Sequence, residues 1–194
     1  MYNMSSLEKN YQIFLENVKS VFPNVRIPDK TEVIENSEIE LSAELSEWFS
    51  IIGDADYQVM DVLCGLEILS YENMVKEWNS WRAFEKDKVL NDSKLFSSEP
   101  EKAIKCQYTN SKWIPIAHDH EGNYIGVDLD PDKEGKVGQV IDFGRDENDK
   151  MVLANSISEL FELILENQED MTDVNGCYTN EDDEHTIDWL KDLV

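Results

Sequence analysis

The sequence predicts a mixed fold in which helices precede and follow an antiparallel meander of strands. Apolar residues recur at helical spacing over residues 5–22, and again after residue 156. Between these two stretches lie short apolar segments that are joined by turns of only a few residues. Connections this short favour antiparallel pairing, because parallel strands need a longer crossover.

Three helices are predicted before the meander. The first covers residues 5–22, with Ser5 in a capping-box pattern at its start. The second has Ser42 at its N-cap and Gly53 just after its end. The third begins after Ser70, which is again a favourable N-cap residue.

Three large aromatic residues, Trp78, Trp81 and Phe84, stand close together in and after the third helix. Aromatic side chains at this density most often pack in a core, so core packing is the favoured interpretation. An exposed aromatic patch for a partner is the alternative.

Five short strands are predicted. They cover residues 65–69, 112–117, 123–129, 139–143 and 150–154. Pro115 predicts an edge or a bulge in the second strand, because proline cannot donate to the hydrogen-bond ladder. A further helix is predicted from Ser156, whereas residues 84–105 are predicted as a loop or an irregular helix.

The composition becomes strongly acidic after Asn167. Lys191 is the one basic residue there, against nine acidic residues: Glu169, Asp170, Asp173, Glu181, Asp182, Asp183, Glu184, Asp188 and Asp192. The apolar residues near the end predict one short helix, which either docks on the domain or belongs to an acidic tail. We therefore divide the chain into a domain over 1–167 and an acidic C-terminal extension over 168–194.

The net charge restricts the class of partner. The 194 residues carry 42 acidic and 17 basic side chains, for a net charge of −25. Such a chain is repelled by phosphate backbones and anionic lipids, so neither nucleic acid nor a membrane is expected as partner. A basic protein would be attracted, although high charge also serves solubility alone. Without a long apolar run or a signal-peptide pattern, we expect a cytoplasmic protein.

The segment from His118 to Glu121 invites a chemical interpretation, because imidazole and carboxylate groups bind metals and move protons. These residues lie on a predicted turn, and two neighbouring histidines without clear further ligands are a weak metal signal. A polar turn is therefore favoured, and we predict no catalytic residue, metal or cofactor. A metal-assisted hydrolase that uses His118 and His120 is retained as an alternative.

The segment 113–141 carries a more specific signal. It contains, in order, Trp113-Ile114-Pro115-Ile116-Ala117, Asp119, Gly122-Asn123, Asp128-Leu129-Asp130-Pro131, Gly135 and Gly138-Gln139-Val140-Ile141. This string resembles the core signature of the SUKH superfamily, which includes bacterial immunity proteins and fungal regulators of cell-wall glucan synthesis. The likeness extends over about residues 5–167. One departure is Leu41-Ser42, where the family usually has Leu-Pro.

The resemblance implies an α+β domain with a twisted, mostly antiparallel sheet flanked by helices. It also implies a non-enzymatic, protein-binding role. Our main interpretation is a cytosolic immunity protein that docks on a cognate toxin, a basic domain of the nuclease type, and neutralises it. The alternative is a regulatory scaffold of the cell-wall synthesis type. A monomer or weak homodimer is expected.

Two sets of residues are singled out. The predicted partner contacts are acidic loop residues near the sheet: Asp119, Glu121, Asp130, Asp132 and Glu134. Structural roles are predicted for eight signature residues: Trp113, Pro115, Gly122, Asn123, Asp128, Pro131, Gly138 and Gln139. A large aromatic side chain suits a sheet–helix core, Gly-Asn suits a hairpin turn, and glycine permits backbone angles that other residues avoid.

Overall fold

The computed structural model describes residues 4–33, 39–58, 61–169, 171–180 and 182–194. The chain divides into two compact units. The helical unit comprises Met1–Leu66 and Ile157–Leu193, and the sheet unit comprises Glu67–Ser156 and Val194. Helices combined with a mostly antiparallel open sheet confirm the predicted α+β fold class.

The sheet unit contains six strands in the order β1-β3-β4-β5-β6-β2. Their bounds are β1 Glu67–Ile68, β2 Ser97–Glu99, β3 Trp113–His118, β4 Asn123–Asp128, β5 Gln139–Gly144 and β6 Asp149–Ala154. Adjacent strands pair antiparallel except β2, which runs parallel to β6. The meander from β3 to β6 is therefore the predicted one, with β1 and β2 added at its two edges.

Strand β2 lies within residues 84–105, where the sequence predicts a loop or an irregular helix. Its residues, Ser97, Ser98 and Glu99, are polar and show no apolar alternation. Pairing with β6 is what makes the segment a strand, beginning with Ser97 opposite Asp149. A strand made only of polar residues carries no hydrophobic period by which the sequence could reveal it.

Of the edge or bulge predicted at Pro115, the edge is wrong, because β3 lies between β1 and β4, whereas the strand is irregular there. The pairing of β3 with β4 shifts in register between Pro115 and Ala117. Opposite Pro115 stands Gly126, where an added Cβ atom would lie 2.6 Å from the carbonyl oxygen of Ile114. The two backbones approach so closely here that a side chain at Gly126 would force them apart.

Helix α3 (Tyr71–Arg82) begins after Ser70, whose hydroxyl accepts a hydrogen bond from the amide of Asn73. The indole N–H of Trp78 donates to the carbonyl oxygen of Ser111 at 2.8 Å, just before β3. Trp78 and Trp81 are buried, as the core interpretation predicts. The core interpretation is wrong for Phe84, which has 44% of its surface exposed.

The core of the sheet unit is built from large apolar side chains of α3, the sheet and the segment before β3. Its members are Trp81, Ala103, Ile104, Trp113, Tyr124, Ile141 and Phe143. The ring of Phe143 lies 5.4 Å from that of Trp113 and 5.3 Å from that of Tyr124. Phe143 thus joins the aromatic residues of three neighbouring strands.

The helical unit contains α1 Ser6–Val21, α2 Ala43–Ile52, α4 Ile157–Asn167, α5 Thr186–Asp192 and a hairpin of β7 Thr172–Val174 with β8 Cys177–Thr179. Ser5 and Ser42 cap α1 and α2 as predicted, each accepting a backbone amide. The ring of Tyr11 on α1 packs against Trp48 on α2 and Phe161 on α4. None of the described helices is both long and apolar enough to span a bilayer.

The described residues between 168 and 193 belong to the helical unit. The ring of Tyr178 lies 6.1 Å from that of Phe14, and the amide of Thr186 donates to the carbonyl oxygen of Cys64. Two residues of the acidic run, Asp170 and Glu181, lie outside the described residues. The division of the chain at residue 167 stays a prediction.

We predict that Phe143→Ala lowers the free energy of unfolding by about 3–5 kcal/mol, because it leaves a cavity among fully buried rings. Urea denaturation followed by far-UV circular dichroism measures the loss. Val137→Ala, at a position that is 70% exposed, serves as the control and should change the value by less than about 0.5 kcal/mol. Equal midpoints for the two variants would contradict this core assignment.

Candidate functional site

A pocket of about 220 Å³ lies in the sheet unit, where β1, α3 and the end of β3 meet. It is lined by Glu67, Leu69, Asn73, Lys76, Glu77, His118 and His120. Both histidines of the predicted turn therefore line one concave surface. The sequence places His118 in the turn, but in the structure it is the last residue of β3.

Strand pairing places Glu67 beside His118. The two residues are direct partners in the register of β1 with β3, so their side chains stand on the same face. The Oε2 atom of Glu67 lies 3.6 Å from the Nε2 atom of His118. The imidazole is 11% exposed, whereas the carboxylate is 41% exposed and faces solvent.

The turn brings His120 back to the same carboxylate. His120 has a positive φ of 62°, a left-handed conformation that folds the chain tightly after β3. Its ring centroid lies 4.3 Å from that of His118, and its Nε2 atom is 3.2 Å from Oε2 of Glu67. The donor atoms of Glu67, His118 and His120 all lie within 4.8 Å of one another.

A second carboxylate stands behind His118. Glu77 on α3 accepts a hydrogen bond of 2.8 Å from the hydroxyl of Tyr124, and its Oε2 atom is 3.9 Å from Nδ1 of His118. Burial, and then the carboxylate of Glu77, raise the pKa of Tyr124 far above its usual value. The tyrosine therefore stays a hydrogen-bond donor and holds Glu77 in place.

The five predicted contact residues do not form one patch. Asp119 and Glu121 precede β4, whereas Asp130, Asp132 and Glu134 follow it. The six residues of β4 span about 17 Å. The two groups consequently lie at opposite ends of the meander.

Asp119 serves mainly to hold the turn together. Its carboxylate accepts hydrogen bonds from the amides of Glu121 and Asn123 and from the side-chain amide of Asn123. Burial alone would raise the pKa of Asp119, but these hydrogen bonds outweigh it and lower the pKa. Glu121 is the exposed carboxylate of the turn.

The loop after β4 is a mixture of opposite charges. Asp130 accepts from Lys105 at 2.5 Å and from Asn110 at 3.0 Å. Burial disfavours its charged form, but these contacts prevail and lower the pKa of Asp130. The amides of Asp132 and Glu134 donate to the carbonyl oxygens of residues 103 and 102, which anchors the loop.

Asp128 and Gln139 connect the two ends of that loop. They are register partners on β4 and β5, and the side-chain amide of Gln139 donates to Asp128 and to the carbonyl oxygen of Ala103. Asp128 also accepts the amide of Asp130 at 2.8 Å. Burial of the carboxyl group outweighs these bonds and raises the pKa of Asp128 to about 6.

Asn123 ties two turns together at the other end. Its side-chain oxygen accepts the amide of Asp146, which lies in the turn between β5 and β6. Gly122, just before it, has a φ of 103°, a conformation that favours glycine. Of the other signature residues, Trp113 is fully buried, and Gly138 has a φ of 94°.

The segment that carries these signature residues lies within the range matched by a known protein family. The sequence profile of the SMI1/KNR4 family (SUKH-1) matches residues 29–163. The chain belongs to this family. The predicted resemblance to the SUKH superfamily is thereby confirmed.

Several fungal proteins of the SMI1/KNR4 family are similar in sequence. The cell wall biosynthesis/cell cycle regulator smi1 of Schizosaccharomyces pombe is 30% identical over 145 residues, which are 69% of this chain and 27% of that protein. The glucan synthesis regulatory protein of Neurospora crassa is 28% identical over 51% of this chain and 24% of its own length. The cell wall assembly regulator SMI1 of Saccharomyces cerevisiae is 45% identical over 32% of this chain and 12% of its own length.

The chain thus spans about a quarter or less of the length of these SMI1/KNR4 relatives. The signature found in the sequence covers residues 113–141, from β3 to β5, and does not include Glu67 or Glu77. Both were missed in the sequence, although the strand predicted over 65–69 contains Glu67. Only the pairing of β1 with β3, between segments about fifty residues apart, brings that carboxylate to the histidines.

We predict that Asp119→Ala destabilises the protein by about 2–3 kcal/mol, because two backbone amides and the Asn123 side chain lose a charged acceptor. Thermal or urea unfolding measures the change. Glu121→Ala, two residues away in the same turn, removes an exposed carboxylate and should leave stability within about 0.5 kcal/mol of wild type. If both substitutions were silent, the turn would not depend on Asp119.

The raised pKa of Asp128 predicts a pH-dependent contribution to stability. In the unfolded chain its pKa returns to about 4, so the contribution is complete below pH 4 and is lost as the pH rises through about 6. The loss amounts to about 3 kcal/mol. Asp128→Asn abolishes the titration, so between pH 4 and pH 7 its stability should improve relative to wild type by up to that amount.

Urea unfolding of wild type and Asp128→Asn at half-unit pH intervals measures this difference. Glu134→Gln, an exposed carboxylate in the same loop, is the matched control and should follow the wild-type curve. Parallel curves for wild type and Asp128→Asn would show that the carboxyl group titrates alike in the folded and unfolded states.

Proposed function

We propose that this chain is a non-enzymatic, protein-binding regulatory module of the cell-wall regulator type. Membership of the SMI1/KNR4 family supports this proposal, and so do the relatives, which are named as regulators of cell wall biosynthesis, assembly or glucan synthesis. The single observation that carries it is the family match over residues 29–163, which spans every strand of the sheet.

The end of the sheet unit that holds the β3–β4 turn is the best candidate docking surface. We call it the acidic rim, and it consists of Glu67, Glu77, Glu121 and Asp146. Its two neighbouring cations already contact carboxylates: Lys76 is 2.9 Å from Glu72, and Arg145 is 4.0 Å from Asp146. Lys76 thus contacts a carboxylate outside the rim, whereas Arg145 offsets the charge of Asp146. The other three rim carboxylates, Glu67, Glu77 and Glu121, supply a negative field that suits a basic partner surface.

The opposite end of the meander is a weaker candidate. The loop after β4 holds Lys133 and Lys136, and the adjoining segment holds Lys102 and Lys105. Lys105 is already paired with Asp130. A basic partner gains less from a surface whose carboxylates are accompanied by lysines, because the opposite charges cancel over a distance of a few ångströms.

Deletion of the gene in its source organism tests the regulatory proposal. Loss of the protein should change the amount of cell-wall polysaccharide and increase sensitivity to agents that disrupt the wall. Reintroduced wild type should restore both measures. A deletion strain with an unaltered wall would refute the regulatory role.

Two matched charge reversals test the surface in the same strain. We expect Glu121→Lys, on the acidic rim, to restore the wall less well than wild type, because it repels a basic partner. Glu134→Lys makes the same change in charge at the other end of β4 and should restore it fully. If the two variants behaved alike, the rim would not be the docking surface even where the regulatory role holds.

Toxin neutralisation is the second candidate, and the net charge of −25 favours it. A nuclease toxin needs a basic surface to hold phosphate groups, and an acidic protein can cover that surface. Co-expression with a toxin encoded by a neighbouring gene should then rescue growth, with Glu121→Lys less protective at equal expression. Undiminished killing in the presence of wild-type protein would exclude neutralisation of that toxin.

A further inference from the structure

We propose that Glu67, His118 and His120 form a binding site for one divalent transition-metal ion, with Zn²⁺ as the best match. The proposal does not depend on the regulatory function, because ion binding is a property of the isolated chain. It rests on the distances among the three side chains, their chemical nature and the groups that surround them.

The distances fit a shared ion. Zinc binds imidazole nitrogen and carboxylate oxygen at about 2.0–2.1 Å, so two ligands of a tetrahedral site lie about 3.3 Å apart. The Oε2 atom of Glu67 lies 3.2 Å from Nε2 of His120 and 3.6 Å from Nε2 of His118. Both nitrogen atoms thus approach one oxygen at the separation that a common ion requires.

The donor set selects the class of ion. Two imidazoles with one carboxylate suit zinc, nickel or copper, whereas magnesium and calcium prefer ligand sets made of oxygen alone. Three protein ligands leave at least one coordination position for water or for a group from another molecule. His120 is 63% exposed, so the proposed site is accessible from solvent.

The surroundings support the ligands. A metal-binding histidine usually directs its second ring nitrogen to a carboxylate, which fixes the orientation of the ring. Glu77 faces Nδ1 of His118 at 3.9 Å, and Tyr124 holds that carboxylate by a hydrogen bond. At 3.9 Å the contact is electrostatic, with the carboxylate facing the nitrogen that an ion would leave free.

Among the described residues that line the pocket, Lys76 is the one lysine or arginine, and it does not occupy the ion's place. Lys76 directs its Nζ atom to Glu72 at 2.9 Å and to the side-chain oxygen of Asn73 at 3.2 Å. The ammonium group of Lys76 therefore contacts two residues of its own helix, α3. The remaining charged groups of the pocket are Glu67 and Glu77, and the carboxylates favour a cation.

Metal titration of the full-length chain tests the site. After treatment with a chelator, the protein is titrated with Zn²⁺ in competition with a chromophoric chelator, and separately with Co²⁺. We expect one ion per chain and, for Co²⁺, the intense visible absorption of a four- or five-coordinate site. Absence of a stoichiometric site in the wild-type chain would overturn the proposal.

Variants separate this site from the many other carboxylates of the chain. Glu67→Gln and His120→Ala alter exposed ligands and should weaken Zn²⁺ binding by more than about 100-fold, and Glu77→Gln by about 10- to 100-fold. Glu134→Gln and His185→Asn are matched controls of the same residue types outside the cluster, and both should bind like wild type. Circular dichroism confirms that each variant is folded.

Two other results would contradict the assignment of these ligands. Equal affinity in Glu67→Gln, His120→Ala and the two controls would mean that ions associate with the acidic surface in general. Weak binding of several ions, without the visible absorption of bound Co²⁺, would have the same meaning. Either result overturns the assignment of these three ligands.

Discussion

The register of β3 against its two neighbours is the constraint on which the candidate site depends. Pairing with β1 places Glu67 opposite His118, and pairing with β4 places Tyr124 opposite the same histidine. A slip of one residue would turn every side chain of β3 to the other face. Such a slip would also pull Trp113 from the core, where it is fully buried against Phe143. The apolar core thereby holds the polar site in position.

The carboxylates of this acidic chain have different roles according to their surroundings. Asp128 is fully buried, and the loss of hydration outweighs its hydrogen bonds, so its pKa rises. Asp119 is only partly buried and accepts several hydrogen bonds, so its pKa falls. Both hold loops in place. Glu121 of the acidic rim is instead exposed to solvent.

The family signature and the histidine cluster describe different parts of the same hairpin. Gly122, Asn123, Asp128 and Gln139 hold the ends of β4 through turns and buried hydrogen bonds. The cluster instead uses the side chains of β3, the β3–β4 turn and a second segment. The signature residues therefore shape the turns and loops around the candidate site, whereas Glu67, His118 and His120 lie outside the signature.

The sequence by itself determined most of the helices and the meander, because their apolar periods and capping residues are local features. It also revealed the family, through a string of turn and loop residues in the segment 113–141. Contacts between distant segments were decided only by the tertiary structure. Strand β2 has no apolar period, and it exists because β6 offers it a ladder. Glu67 joins the histidines because of strand pairing, and β4 separates acidic residues that look adjacent in the sequence. Local periodicity records which face of a segment is apolar, but it does not record which segment that face or edge will meet.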